Sequence, residues 1–356
     1  MQSRRRFLYD FSVGVTSWVS MSDLAMAQTT AVQSDQSLSF FLVGDTHYAA
    51  DAADVSRMDE TSHAYNIRLI EWLNRLPGTS FSEATGGQRI ASPHGVIHAG
   101  DLIDNGDKGP SKYPQARTEI AAWIADYGLN GGDGKLKWPV REVHGNHDSP
   151  HGDGPVIPLL KERNRKRSGL ALVSHNGLHY SWDWGGVHFV ALGIIVGDTK
   201  ECVRKRRYAA LDSLAFLQQD LAESVGKSKR PVIIVSHVDV HRYATECSAE
   251  EVLNHEWDFA DVQAFYEVLK PYRIAAMLCG HTHVRKIARW DGSGNDRVAT
   301  GIPFLNTDNS AHFNSETQGL LHIEMNNTHL IVREFVTKDA WLTGAWTPQV
   351  WSFPLT

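Results

Sequence analysis

Short apolar runs recur along the chain, most of them bounded by glycine or polar turn residues. Leu38–Val43, Val96–Ala99, Val140–His144, Val187–Leu192, Val232–Val235 and Ile274–Cys279 read as buried strands. Helical periodicity fills some of the intervals. Ile67, Ile70, Leu73 and Leu76 recur at helical spacing until Pro77-Gly78, and Leu211, Leu214, Leu217 and Leu221 do so before Gly226. A third helix is predicted over Asp261–Leu269, closed by Pro271. Strands alternating with helices predict an α/β layered fold. Trp182 to Gly186 reads as a turn leading into Val187–Leu192. After His283 the pattern changes: Lys286–Trp290, Gln318–Met325 and Leu330–Phe335 read as strands, with turns at Gly292 to Asn295 and at Asn326-Asn327. These segments are expected to form a second sheet, not a second domain. Gly78–Ser92 and Asn130–Gly134 are expected as surface loops.

Composition narrows the class without identifying it. With 356 residues, 42% hydrophobic and 21% charged, the chain is an ordinary globular protein, neither collagen, coiled coil nor wholly disordered. A net charge of -6 disfavours nucleic acid as a bulk electrostatic partner. Three cysteines exclude a disulfide scaffold. Whether Cys202 and Cys247 pair is left open by the sequence, and Cys279 lies in an apolar run as a buried free thiol. At the start, Ser3-Arg4-Arg5-Arg6-Phe7-Leu8 resembles a twin-arginine export signal. The stretch to Met26 is too short and too polar for a membrane span, and Ala25-Met26-Ala27 has the small-x-small form of a cleavage site. The expectation is a signal peptide over 1–27, a single domain over 28–356, and a periplasmic or extracellular location reached through the twin-arginine export machinery.

The residues just beyond the strands carry the chemistry. Leu38–Val43 runs into Gly44-Asp45-Thr46-His47, and Val96–Ala99 into Gly100-Asp101-Leu102-Ile103-Asp104-Asn105. Val140–His144 runs into Gly145-Asn146-His147-Asp148, Val232–Ser236 into His237, and Ile274–Cys279 into Gly280-His281-Thr282-His283. Sites in open α/β sheets form beyond the carboxyl ends of strands, so these ends are expected to deliver Asp, Asn and His side chains to one rim. Small residues just before the ligands let the chain turn and metals approach. Carboxylate and imidazole ligands suit Mn, Fe or Zn, with no thiolate set for structural zinc. Asp45/His47 and His281/His283 are spaced i, i+2, which on an extended segment points both side chains the same way.

The ordered set D-x-H, G-D-x-x-D, G-N-H-D, H and G-H-x-H, spanning Asp45 to His283, resembles the calcineurin-like metallophosphoesterase signature. The resemblance implies a four-layer α-β-β-α sandwich of two mixed sheets flanked by helices. It also implies two divalent or trivalent metal ions hydrolysing a phosphate ester through attack by metal-bound hydroxide. By the same resemblance Asp45, His47 and His283 bind one ion, Asn146, His237 and His281 bind the other, and Asp101 bridges them. His147 is implied as general acid, Asp104 as the carboxylate that orients it, and Asp148 as a support behind the ligands. Asn105 stands where the family's protein phosphatases carry Arg, and Asp104 stands where purple acid phosphatases carry a metal-binding Tyr, so neither subclass is favoured. The remaining pattern is similar both to class III cyclic-nucleotide phosphodiesterases and to broad-specificity phosphatases acting on small phosphorylated substrates. A catalytically silent binding module on the same fold is the rival from another class, and the unbroken motifs speak against it.

The other histidines invite plainer expectations. His98 and His144 are expected as hydrogen-bonded core residues and His188 and His322 as sheet residues. His151, His241, His255 and His312 are candidates for loops over the rim. The basic runs Lys161 to Arg167 and Arg204 to Arg207 are expected as solvated faces, with a clamp for a second phosphate as the sharper alternative. Trp184 and Trp257 are weak candidates for stacking on a substrate ring.

Overall fold

The computed structural model describes residues 38–198, 206–243 and 256–355. The twin-arginine segment, the domain start at 28, the Cys202–Cys247 question, His255, Arg204 and Lys205 all lie outside the described residues. In chain order the elements are β1 (Leu38–Val43), α1 (Glu60–Arg75), β2 (Val96–His98), α2 (Tyr113–Tyr127), β3 (Val140–Glu142), α3 (Val156–Lys166), β4 (Leu170–Val173), β5 (Tyr180–Trp184), β6 (Val187–Ala191), α4 (Ser213–Asp220), β7 (Val232–Val235), α5 (Phe259–Leu269), β8 (Ile274–Cys279), β9 (Lys286–Trp290), β10 (Ile302–Asn306), β11 (Gln318–Met325), β12 (His329–Thr337) and β13 (Ala345–Pro354). They build two sheets, of order β13-β12-β11-β1-β2-β3 and β4-β5-β6-β7-β8-β10-β9. Both are mixed: β1, β2 and β3 run parallel while β11 is antiparallel to β1, and β6, β7, β8 and β10 run parallel while β5 and β9 are antiparallel to their neighbours.

The layering follows from side-chain alternation. On β1, Phe40 and Leu42 point between the sheets, where they meet Ile97, Phe189, Ile233 and Leu305. Phe41 and Val43 point the other way, among Leu69 and Leu73 of α1 and Ile120 and Trp123 of α2. On β7, Ile233 and Val235 face the sheet interface while Val232 and Ile234 face Leu217 of α4 and Phe265 of α5. Strands covered on both faces need apolar residues at every position, which is why their sequences are unbroken apolar runs. The result is helix, sheet, sheet, helix: the expected four-layer sandwich.

Helix α1 starts where the side chain of Asp59 accepts from the backbone N–H of Ser62 at 2.8 Å, a cap contributing about 1 kcal/mol. Helix α2, absent from the sequence expectation, buries Ala116, Ile120, Trp123 and Tyr127 on one face. No described helix is long and apolar enough to cross a membrane.

Three expectations need correction. The segment from Trp182 is not a turn: Trp182 and Trp184 belong to β5, Trp182 stacks on Phe189 with ring centroids 5.1 Å apart, and only Gly185 and Gly186, at φ 53° and 79°, make the turn. The strands after His283 do not form a sheet of their own: β9 and β10 extend one sheet, and β11, β12 and β13 extend the other. The basic run on α3 is not wholly solvated. Arg163 and Arg167 are buried, and both donate to Glu142 Oε1 of β3, at 2.7 and 2.6 Å.

Candidate active site

The carboxyl ends of β1, β2 and β3 in one sheet and of β7 and β8 in the other open onto the same place. Asp45, His47, Asp101 and His237 are buried there. Asp45, His47 and His283 form one group whose ligand atoms all lie within 4.8 Å of one another, and Asp101, His237 and His281 form another. Nε2 of His47 is 3.1 Å from Nε2 of His283, which is 3.4 Å from Asp45 Oδ1. His237 Nε2 is 3.2 Å from Asp101 Oδ2 and 3.1 Å from Asn146 Oδ1, while His47 Nε2 approaches Asp101 Oδ2 at 3.7 Å. Asp101 thus stands between the two groups. All seven residues implied as ligands meet here.

Asp45 and His47 meet in one group, whereas His281 and His283 divide between the two, and neither segment is extended. Asp45, His47, Asp101, His281 and His283 all have left-handed φ, between 42° and 74°. They are half of the ten described non-glycine residues with positive φ, so backbone strain of about 1–3 kcal/mol per residue is concentrated at this rim. Close packing explains two glycines. A Cβ on Gly145 would run into the carboxylate and backbone of Asp101, and one on Gly280 would run into the carboxylate of Asp45.

The donor set fits metal ions. His237 Nδ1 donates to the carbonyl of Ala99 at 2.7 Å. A neutral ring so fixed turns the lone pair of Nε2 toward two oxygens, Asp101 Oδ2 and Asn146 Oδ1, that also carry lone pairs here. A cation among the three resolves that conflict, and so does protonation. Burial lowers the affinity of His237 for a proton, yet Asp101 outweighs burial and raises its pKa to about 9. Asp101 itself loses by burial, but His237 and His47 hold its carboxyl well below the usual range. Oxygen and imidazole donors without thiolate suit Mn, Fe or Zn. Cys279 sits behind the site, buried, and burial pushes its thiol up.

His147 lies beside the first group, its ring 4.8 Å from that of His47. Its backbone N–H donates to Asp101 Oδ1 at 2.8 Å, and its Nδ1 donates to the backbone carbonyl of Asp104 at 3.2 Å. Burial lowers its pKa, but Asp101, Asp107 and Asp104 prevail and raise it. The Asp104 carboxylate is placed differently from the expectation. Its Oδ1 is 3.5 Å from His47 Nδ1 and 3.9 Å from His147 Nδ1, and its Oδ2 accepts from Lys108 Nζ at 2.6 Å. It is Asp104's main chain that bonds to His147, while its side chain faces His47.

Behind these groups lies Asp148, buried, which accepts from the N–H groups of Leu102, Ile103 and Gly145 at 2.9, 3.0 and 2.7 Å. It ties the loop after β2 to the loop after β3. Asn105 is held by Glu119, at 3.0 Å through its N–H and 2.5 Å through its amide, so it serves the loop's structure.

The remaining histidines divide. His98 Nε2 meets Thr46 Oγ1 at 2.9 Å, as expected of a core residue, and burial lowers its pKa to about 3. His144 is buried too, but its Nε2 has no partner among the described residues. His188 lies between Asp183 and Asp220, 2.7 Å from each, and His322 is buried in β11. His241 pairs with Asp239, and His151 is exposed. His312 does reach the rim: its ring is 4.5 Å from His47 and 4.9 Å from His283, and it groups with His47 and Asp104 within 4.8 Å. Trp257 is fully buried against Phe265 and Trp184 packs on Phe40, so neither is a platform for substrate. Motif reading missed Asp107, 3.8 Å from His147 Nδ1, and Glu256, 3.4 Å from His281 Nε2. No sequence signal marks either one.

The sequence and the fold have counterparts in known proteins. The profile of the family described as calcineurin-like phosphoesterase matches residues 38–285. Purple acid phosphatase 23 of Arabidopsis thaliana is 28% identical over 153 residues, 41% of this chain but only 29% of the plant protein. A dimetal phosphatase from Danio rerio shares the fold at a TM-score of 0.54 with 15% identity, the match covering 90% of this chain and all of that one.

Proposed function

Because the chain belongs to the calcineurin-like phosphoesterase family, whose members are metal-dependent phosphoester hydrolases, we propose that its two Asp/His groups hold a pair of metal ions acting on one phosphoryl group. The observation that carries this reading is the place of Asp101, within 3.7 Å of His47 Nε2 on one side and 3.2 Å of His237 Nε2 on the other. Asp45, His47 and His283 would hold one ion, Asn146, His237 and His281 the other, with Asp101 between them. Ions so held neutralise charge on phosphoryl oxygens and lower the pKa of water.

His147 is positioned to supply a proton to the departing oxygen. Its Nδ1–H is committed to the carbonyl of Asp104, which leaves Nε2 as the atom that gives the proton. Asp101, Asp107 and Asp104 favour the protonated ring before transfer. The neutral ring afterwards keeps its Nδ1 bond, so it does not have to turn. Neither a serine nor a cysteine nucleophile stands in this reading.

The test is hydrolysis of mono-aryl and bis-aryl phosphates by protein loaded with Mn, Fe or Zn, beside Asp101→Asn and His147→Ala. Turnover by the wild type with collapse of both variants is expected, the preferred aryl ester assigns monoester or diester as the substrate class, and cleavage of a cyclic nucleotide tests the cyclic-nucleotide alternative. Inactivity of the wild type on every ester with every metal overturns the reading in favour of a binding module. Export is a separate proposal resting on Arg4-Arg5 and Ala25-Met26-Ala27. A reporter fused to the first 27 residues should be exported with both arginines and retained with Arg4→Lys and Arg5→Lys, and equal export of both sinks it.

A further inference from the structure

Behind His281 lies a group that no motif contains. Glu256 is 3% exposed, and its Oε1 is 3.4 Å from His281 Nε2. The carboxylate is gripped by the fork of Arg242, Nε to Oε2 at 2.9 Å and Nη2 to Oε1 at 2.7 Å, and Arg207 Nη1 adds a third contact at 3.3 Å. The backbone closes the same unit: the N–H groups of Glu256 and Trp257 both donate to the carbonyl of Arg242, at 2.9 and 3.0 Å. Glu256 therefore has little freedom to turn away from His281.

A neutral imidazole carries one N–H. Opposite a carboxylate, which offers only lone pairs, that proton sits on Nε2 and leaves Nδ1 as the lone pair. Nδ1 is then the nitrogen available to the group that His281 forms with Asp101 and His237. A carboxylate behind a metal-binding histidine fixes tautomer and ring orientation and raises the basicity of the ligand.

We propose that Glu256, clamped by Arg242, is a positioning residue that holds His281 with Nδ1 toward the ion shared with Asn146 and His237. The proposal rests on the reading of His281 as a metal ligand. It assigns to the Glu256–Arg242 pair control over the affinity of one ion of the two.

The experiment is calorimetric titration of Mn(II) into metal-free full-length protein, comparing wild type, His281→Ala, Glu256→Ala and Glu256→Gln. Melting of each metal-free variant reports folding separately. Two ions are expected in the wild type and one in His281→Ala. In Glu256→Ala the affinity for one ion should fall about 10- to 100-fold while the other is unchanged. Glu256→Gln should fall less, since the amide oxygen still accepts from Nε2–H. Wild-type affinity for both ions in Glu256→Ala overturns the proposal, and so does a Gln variant that falls as far as Ala. Should Glu256→Ala not fold, Glu256→Gln decides: a loss confined to one ion supports the proposal, and unchanged binding of both overturns it. Two ions in His281→Ala, or none in the wild type, instead removes the metal reading beneath it.

Discussion

Replacing Glu142 by Gln tests how the site is braced. Glu142 ends β3, three residues before Gly145, and its Oε1 receives Arg163 Nε of α3 and Nη2 of Arg167, just past that helix, at 2.7 and 2.6 Å. The side chains of Glu142 and Arg167 are 2% and 0% exposed, so solvent screens little. Burial raises the carboxyl's pKa, but the two guanidinium groups overcome it and bring it from 4.5 to about 2. A shift of that size corresponds to stability on the order of 3 kcal/mol. Breaking a buried ion pair by removing one partner costs about 3–5 kcal/mol, so the two routes agree. Since the folded pKa lies below the unfolded one, the contribution is present above about pH 4.5 and disappears as pH falls toward 2. For a chain of 356 residues each kcal/mol moves Tm by about 1.3 °C, so Glu142→Gln should melt about 4–6 °C below wild type at pH 7. Urea unfolding of both proteins from pH 7 down to pH 3 should show the gap narrowing, because below about pH 4.5 the carboxyl of the unfolded wild type takes up a proton that the folded one still refuses. A gap that stays constant with pH, or Tm values that coincide at pH 7, refutes the argument.

Other outcomes arise from the same geometry. Loading the chelated protein with metal at a hundredfold excess over Kd should stabilise it by about 2.7 kcal/mol per ion, a rise of about 7 °C for two ions in calorimetry; no rise contradicts the two-ion site. His312→Ala should lower kcat/KM about 10- to 100-fold while two ions remain bound, as expected for one lost hydrogen bond to a charged phosphoryl group. Unchanged kinetics would place His312 outside the reaction. Gly145→Ala forces a methyl group onto the Asp101 carboxylate, so ion binding and turnover should both fall, and a fully active variant would show that the loop can yield.

How far the sequence reveals this molecule depends on whether a feature is local. The strand ends were legible because strands buried on both faces are apolar throughout, and the break to Gly-Asp or Gly-Asn is abrupt. The seven residues that the motifs single out lie close together. Their backbone was not legible: Asp45-Thr46-His47 looks like the start of an extended segment, yet both flanking residues are left-handed. Sheet membership after His283 was also hidden, because β9 and β11 have similar patterns and differ only in which distant strand they meet, β10 or β1 and β12. The charged residues failed in a consistent way. Arg163, Arg167 and Glu256 look solvated in the sequence, since nothing within a few residues announces a partner. Glu142 lies 21 residues from Arg163, and Glu256 lies 25 from His281. On the proposed reading, motifs concentrate the groups that would touch metal, whereas the groups that would aim them are scattered along the chain and meet only through tertiary packing. If that division holds, the ligand set reports the reaction class, and the scattered carboxylates and guanidiniums, Asp104 with Lys108 and Glu256 with Arg242, tune each ion separately. Exchanging Asp104 or Glu256 should then change the affinity of different ions without changing which ester is cleaved.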